Sequence, residues 1–230
     1  MWAWALLPIS LAVAGTLGIW AVFGIAVSNG TVNLTMEFPY ISTCGTFTPQ
    51  SCIFSQITNL CALLVLWIVV IRFQQIRDYG QNCRANVASL VVGFISTLGI
   101  SLIGNFQQSV LIEVHLLGAF LAFIVGLAYF WLQLWLTYKT EPSLDRSWVG
   151  PLRALLCTIC TALIVAMSIL HKSELRSASA ICEWALVMSF FLLFGLFAAE
   201  FRHIDCHRLI VQPTKEIQAS NSVFMLQAHT

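Results

Sequence analysis

Six long apolar runs constrain this chain more than any other feature of its sequence. The first 36 residues contain no Asp, Glu, Lys or Arg. A helix of about 20 apolar residues crosses the roughly 30 Å hydrocarbon core of a bilayer. The runs occupy residues 6–27, 53–71, 87–103, 114–137, 152–170 and 180–201. We therefore predict an all-α polytopic membrane protein: a six-transmembrane-helix bundle over residues 1–201, followed by a flexible cytosolic tail over 202–230.

The composition excludes several classes of function. The chain is 59% hydrophobic and 9% charged, whereas soluble proteins carry about 25% charged residues. The net charge of +1 is not gathered into a basic patch, which argues against a nucleic-acid partner and leaves membrane lipids as the surroundings. The sequence contains no nucleophile elbow, H-E-x-x-H motif or phosphate-binding loop. We predict a non-enzymatic protein without metal or cofactor.

The positions of the basic residues predict the orientation. Nine of the eleven Lys and Arg residues lie in the second connection, around the fourth connection and in the tail. The fifth connection has two, and the first and third have none. Because cytoplasmic loops carry an excess of Lys and Arg, both termini are expected in the cytosol. Residues 1–27 could instead be a cleaved signal peptide, but they lack a basic start and their apolar stretch is longer than usual.

The first connection carries two signals that matter only on a luminal face. Asn29 and Asn33 each begin an Asn-x-Thr sequon, so both are candidate N-glycosylation sites. Asn33 is the better candidate, because Asn29 lies at the membrane edge. Cys44 and Cys52 are the two cysteines predicted outside the cytosol, where oxidising conditions favour a disulfide. Two unpaired thiols near the membrane surface are the alternative.

Polar side chains near the outer ends of the spans form the candidate functional cluster. They are Asn105, Gln107, Glu113, His115 and Glu183. Polar groups in or near a membrane often mark function, because they are costly to bury there. His115 shared between two carboxylates would be a pH sensor in an acidifying compartment. The alternative is that each residue lies at a headgroup boundary and faces water.

The tail carries two short trafficking signals. Asp205 followed by Leu209 and Ile210 matches the acidic dileucine pattern read by clathrin adaptors, although such patterns also arise by chance. Cys206 is a juxtamembrane cysteine and therefore a candidate for reversible palmitoylation. These signals predict sorting to endosomes.

Small residues mark one face of the fourth run at Gly118, Ala122 and Gly126. Small residues spaced four apart let helix backbones approach closely in a membrane. This face predicts either tight packing within one bundle or a contact between two copies in a homo-oligomer.

Three motifs go beyond composition: Phe-Pro-Tyr-Ile-Ser at 38–42, Gly-Asn-Phe-Gln at 104–107 and Ser-Ala-Ile-Cys-Glu-Trp at 179–184. Together they resemble the damage-regulated autophagy modulator (DRAM) and transmembrane protein 150 family. The similarity covers nearly the whole chain in order, and the stretches 1–2, 49–56 and 129–134 indicate one branch. The chain departs at Thr48, where relatives often have proline, and some relatives lack the loop cysteines.

The resemblance implies a regulator of macroautophagy and endolysosomal traffic that promotes autophagic flux and cell survival under stress. It implies location in the cell membrane and in endosome, lysosome and autophagosome membranes, with membrane or trafficking proteins as partners. Other branches imply two alternatives: a plasma-membrane scaffold for a phosphoinositide kinase complex, or, less expected, a pore, lipid translocator or mechanosensitive channel component. The family has no established catalytic residues. Its motifs fall at the outer ends of three spans, so we predict that segment 39–54 folds over Asn105, Gln107 and Glu183 as a luminal cap.

Overall fold

The computed structural model describes residues 3–80, 83–140 and 145–204, and every regular element in these residues is helical. A single turn at Ala3–Ala5 leads into the first helix. The helices are α1 (Leu6–Ser28), α2 (Ile41–Cys44), α3 (Gln50–Asp78), α4 (Arg84–Asn105), α5 (Ile112–Ala119), α6 (Gly126–Lys139), α7 (Arg146–Lys172), α8 (Arg176–Gly195) and α9 (Phe197–Phe201). A π-helical segment, Phe120–Val125, joins α5 to α6 without a break.

Six helical stretches are long and apolar enough to cross a membrane, which confirms the predicted fold class. We call them spans 1 to 6: Ala3–Ser28, Gln50–Asp78, Arg84–Asn105, Ile112–Lys139, Arg146–Lys172 and Arg176–Phe201. Each is longer than its apolar run, because a helix continues past the hydrocarbon core into the headgroup region. The second span, for example, extends from the predicted 53–71 to Gln50–Asp78.

The spans form a closed ring. Each packs against its neighbours in sequence, and span 6 returns to span 1. The turn Ala3–Ala5 packs against α9, so the described chain begins and finishes at one end of the bundle, which we call the terminal end. The connection 29–49, which contains α2, lies at the opposite end, which we call the cap end. Span 5 contacts span 4 mainly through α6, in the half nearer the terminal end.

Span 1 illustrates how the sequence selects the inward face. Its buried residues recur every three or four positions, at Leu11, Gly15, Ile19, Val22 and Ala26. The opposite face is equally apolar, and Leu17 is 65% exposed there. A helix that is apolar all round fits a membrane, in which the outer face contacts lipid. The inward face is therefore distinguished by side-chain size and packing and not by hydrophobicity.

The small residues of span 4 pack inside the bundle, against span 3. A Cβ added at Gly99 would lie 2.5 Å from the backbone nitrogen of Ala122 and 2.8 Å from the carbonyl oxygen of Gly118. The helix backbones thus touch at this crossing. Gly118 and Ala122 serve the contact within one chain, which is one of the two arrangements that their spacing predicts.

Replacing Gly99 by valine is expected to lower the free energy of unfolding by about 3 kcal/mol, because overpacking costs about 1–3 kcal/mol and backbone atoms yield less than side chains. Gly24→Val is the matched control, since an added Cβ there meets nothing within 4 Å. Thermal unfolding of the purified protein in detergent measures both. Equal melting temperatures for the two variants would contradict the close crossing.

Candidate functional site

A buried ion network lies near the terminal end of the bundle and consists of Arg72, Arg153 and Glu200. The Oε1 atom of Glu200 lies 2.7 Å from Nη2 of Arg72, and its Oε2 atom lies 2.7 Å from Nη2 of Arg153. The side chains of the three residues are 4%, 0% and 8% exposed, respectively. One carboxylate thus binds two guanidinium groups from different helices.

Neutral polar side chains complete the network. Arg72 donates from Nη1 to Oε1 of Gln75 at 2.7 Å and from Nε to Oε1 of Gln133 at 3.1 Å. Gln133 in turn donates to the hydroxyl of Ser89 at 2.5 Å. Thr137 contacts both Arg153 and Glu200. These bonds join α3, α4, α6, α7 and α9, so five helical elements meet at one polar centre.

The charges in the network are unequal. Two guanidinium groups and one carboxylate carry a net charge of +1 when all three are ionised. The ring of Phe197 lies 4.7 Å from Cζ of Arg153 and 5.9 Å from Cζ of Arg72, distances at which an aromatic face attracts a cation. Because a buried ion pair is costly to desolvate, its net contribution to stability is small, whereas removal of one partner is strongly destabilising.

The sequence pattern does not predict this network, because it places Arg72 in the second connection and Arg153 beside the fourth, and Glu200 does not stand out. The placement of Arg72 is wrong, because it lies inside α3, and α7 begins at Arg146, so that both arginines are interior to their helices. A signal was available. The three charges, two basic and one acidic, stand at the same predicted end of three apolar runs, where opposite charges can pair.

A second ionic contact lies beside the first, at the end of span 6. Asp145 accepts from Nη2 of Arg202 at 2.6 Å, lies 2.9 Å from Nε2 of His203, and accepts from Nε1 of Trp148 at 3.1 Å. Asp145 is buried, whereas the two basic side chains are about one-third exposed. The start of α7 is thereby tied to the chain just after α9.

The cap end is organised by Glu183 and Trp184 of α8. The Oε2 atom of Glu183 accepts a hydrogen bond from the backbone N–H of Ile41 at 2.7 Å. Trp184 donates from Nε1 to the carbonyl oxygen of Pro39 at 3.1 Å. The backbone N–H of Phe38 donates to the hydroxyl of Ser177 at 3.0 Å. The structure thus brings residues 38–41 against span 6, and we call this contact the cap.

Trp184 also centres an aromatic cluster under the cap. Its ring centroid lies 4.6 Å from that of Trp20, 5.4 Å from that of Phe23 and 6.2 Å from that of Phe38. Aromatic pairs in tilted or edge-to-face arrangements attract one another beyond simple burial. The cluster joins span 1, the first connection and span 6.

Asn105 lies at the cap end but binds span 2, and not residues 39–54 as predicted. Its Oδ1 atom accepts from the hydroxyl of Ser55 at 2.8 Å and from Nδ2 of Asn59 at 2.9 Å. Gln107 contributes its carbonyl oxygen to the turn before α5. The next residue, Gln108, reaches the first connection, where its Oε1 atom accepts from the hydroxyl of Ser42 at 3.0 Å.

His115 and Glu113 do not share a hydrogen bond with each other. Nδ1 of His115 donates to the carbonyl oxygen of Phe106 at 2.8 Å, and the His115 side chain is buried. Glu113 is exposed. Glu113 therefore fits the alternative prediction, a residue exposed at the headgroup boundary, and not a carboxylate that shares His115. His115 and Glu183 do line one interior cavity.

Cys44 and Cys52 are both free thiols, so the predicted disulfide is not formed. Cys44 is buried in the apolar cluster beneath the cap, whereas Cys52 is exposed on α3. Burial, with a smaller contribution from the negative charge of Glu183, raises the pKa of Cys44 to about 12. The Cys44 thiol therefore stays protonated, which disfavours disulfide exchange.

The two sequons differ in their surroundings. Asn29 directly follows span 1, and its Nδ2 atom lies 3.4 Å from Oε1 of Gln50. Asn33 lies four residues further along, is exposed, and accepts from the hydroxyl of Thr35 within its own sequon at 2.7 Å. The side chain of Asn33 is thus the more separated of the two from the bundle.

The remaining candidate residues of the tail, Asp205, Cys206, Leu209 and Ile210, lie outside the described residues. Within residues 3–80, 83–140 and 145–204, no three His, Cys, Asp or Glu side chains are grouped so that they could hold a metal ion.

Comparisons with known proteins cover both the ion network and the cap. The family model described as the Frag1/DRAM/Sfk1/Cwh43P N-terminal domain matches residues 3–204. The chain is 64% identical to a Danio rerio protein named "Modulator of macroautophagy TMEM150B", over 92% of this chain and 91% of the relative. It is 51% identical to the Homo sapiens protein of that name, over 93% and 92%. A Xenopus laevis "Transmembrane protein 150A" is 32% identical, over 89% and 86%. No solved structure matches the chain significantly.

Proposed function

The chain belongs to the Frag1/DRAM/Sfk1 family, and from this membership we propose that it is a multi-pass membrane protein that modulates macroautophagy. The family resemblance carried by the three sequence motifs is confirmed, as is the branch indicated by the stretches 1–2, 49–56 and 129–134. The observation that carries the proposal is the name shared by relatives that are 51% and 64% identical over nine-tenths of the chain. Those relatives are named as modulators and not as enzymes, which supports a non-enzymatic role.

The proposal extends to where and how the protein acts. We infer that it supports autophagic flux and cell survival under stress from endosome, lysosome, autophagosome and cell membranes. Sorting by clathrin adaptors at Asp205, Leu209 and Ile210 would deliver it to endosomes, and palmitate on Cys206 would hold the start of the tail at the bilayer. Arg202 and His203 stand immediately before this signal, and both bind Asp145. These contacts support a tail that begins close to the end of the bundle.

Loss of the protein is expected to lower autophagic flux, and re-expression of the wild type is expected to restore it. Flux is measured as the accumulation of a lipidated autophagosome marker with and without lysosomal inhibition. Leu209→Ala/Ile210→Ala should restore flux poorly and raise the level of the protein at the cell surface. Met225→Ala/Leu226→Ala is the matched control, since it removes two similar residues from the same tail and leaves the signal intact.

The result separates the proposal from its main rival. Unchanged flux at matched expression would contradict a role in macroautophagy. If a phosphoinositide kinase complex then co-purified with the chain and was lost on deletion of residues 205–230, the scaffold function would replace it.

The proposed orientation places the first connection in the lumen, so Asn33 is expected to carry a glycan. Treatment with a peptide N-glycosidase should increase the electrophoretic mobility of the wild type, and Asn33→Gln should remove that shift. Asn29→Gln is the matched control and should retain it, because Asn29 lies at the membrane edge. A mobility unaffected by the enzyme in all three proteins would count against a glycan at either sequon.

A further inference from the structure

A narrow cavity extends through the middle of the bundle from the cap end. Its volume is about 110 Å³. On α3 the lining residues recur every three or four positions from Phe54 to Val65, and on α8 they recur in the same way from Glu183 to Phe194. Each stripe covers twelve residues, and the eleven steps between its ends span about 16 Å of helix at 1.5 Å per residue. So small a volume beside a lining of that length indicates a slender cavity.

The two ends of the cavity differ in polarity. At the cap end it is lined by the carboxylate of Glu183, the imidazole of His115 and the hydroxyl of Ser42. At the far end it is lined by Leu11, Phe130 and Phe194. The walls between are almost wholly apolar, and apolar cavities hold water poorly. This polarity matches a molecule with one polar end and a long apolar body.

The wall contributed by span 4 has an unusual backbone. The π-helical segment Phe120–Val125 interrupts the α-helix where Ala122 and Phe123 line the cavity. Single π-helical turns are rare and occur frequently at functional sites. The small side chain of Ala122 leaves room on the cavity side. Backbone geometry and cavity shape thus mark the same place independently.

We propose that this cavity binds one hydrocarbon chain of a membrane lipid, with a hydroxyl or ammonium head group donating to Glu183. One oxygen of that carboxylate, Oε2, already accepts from Ile41, and we assign Oε1 to the head group. The narrow bore suits a single flexible chain better than a fused ring system. Span 5 contacts span 4 mainly through α6, so it leaves span 4 uncovered in the half nearer the cap, and we assign entry from the bilayer to this side. The site goes beyond the proposed role in macroautophagy and does not depend on it.

Photolabelling tests the proposal with the purified full chain in phosphatidylcholine nanodiscs. The probes are a long-chain alcohol and a long-chain amine, each carrying a diazirine midway along the chain, and labelled peptides are mapped by mass spectrometry. In the wild type we expect labelling within 54–65 and 183–194 to saturate with one probe or both, and to be displaced by the same compound without the diazirine. The probe that saturates identifies the head group.

Cys61→Phe fills the cavity, because Cys61 lines it, whereas Leu63→Phe on the same helix is the matched control, because Leu63 is 52% exposed on the outer face. Labelling of the two segments should fall about tenfold in Cys61→Phe, since the ring removes the space of at least two methylene groups, and should not change in Leu63→Phe. Labelling that rises linearly without displacement in the wild type, or that is equal in the two variants, would overturn the proposal. If Cys61→Phe does not purify as a monodisperse protein, the displacement experiment decides alone.

Discussion

Replacing Glu200 by glutamine is expected to lower the free energy of unfolding by about 3–5 kcal/mol, the usual cost of breaking a buried ion pair on one side. Glu200 is the only carboxylate bound to Arg72 and Arg153 among the described residues. Its loss leaves two like charges buried beside each other. Thermal unfolding in detergent, followed by intrinsic tryptophan fluorescence, measures the effect.

The charge balance of the ion network makes a sharper comparison. Arg72→Met leaves one guanidinium paired with one carboxylate, and its main cost is the loss of the donor to the Oε1 atoms of Gln75 and Gln133, about 1–3 kcal/mol. Arg202→Ala, at a side chain that is 36% exposed, should cost about 0–1 kcal/mol. We expect Glu200→Gln to be more destabilising than Arg72→Met. The opposite order would contradict the idea that Glu200 stabilises the bundle by neutralising the buried arginines.

Trp184→Ala is also expected to lower the free energy of unfolding by about 3–5 kcal/mol, because it leaves a cavity where a large buried side chain had been. The side chain is 6% exposed and contacts three aromatic rings. Trp184→Phe keeps most of that packing and loses the hydrogen bond to Pro39, which should cost about 1–2 kcal/mol.

The control for Trp184 is another tryptophan. Trp67 is 53% exposed on the outer face of α3, so Trp67→Ala should shift the same unfolding transition by less than about 1 kcal/mol. The cap also predicts where Trp184→Ala acts first: hydrogen exchange should rise at the amide of Ile41, which the cap holds against Glu183, before the spans exchange. Uniformly faster exchange along the chain would indicate that the cap has no separate stability.

The number and position of the spans follow from the lengths of the apolar runs, since few other elements tolerate twenty apolar residues in succession. The helix ends follow less well. Arg72 looks like a connection residue and Arg153 like the first turn of a span, because charge usually marks the end of a membrane span, yet both lie well inside their helices. Glu200, on a third helix, offsets the cost of burying both arginines. Because it is far from each of them in sequence, the sequence around either arginine does not predict the pairing.

At the cap end, residue types predict which residues lie at the site, but not which atoms they bind. Glu183 and segment 39–54 stand out by polarity and motif, and the structure does place them together. The atom that Glu183 binds is a backbone amide, which no residue pattern identifies. Gln107 and Gln108 are equally plausible by composition, and only the turn before α5 decides that Gln108 reaches Ser42. Burial also distinguishes the two loop cysteines, since Cys44 is buried and Cys52 is exposed.

The ion network also bears on the order in which the protein is made. Arg72 enters the membrane with the second span and Arg153 with the fifth, but Glu200 stands near the end of the sixth. Chains are synthesised and begin to fold from the N-terminus. Both guanidinium groups therefore lack their carboxylate until the last span has been synthesised. A chain truncated before Glu200 would retain two uncompensated arginines. Both buried arginines are therefore neutralised only once the last span has been made.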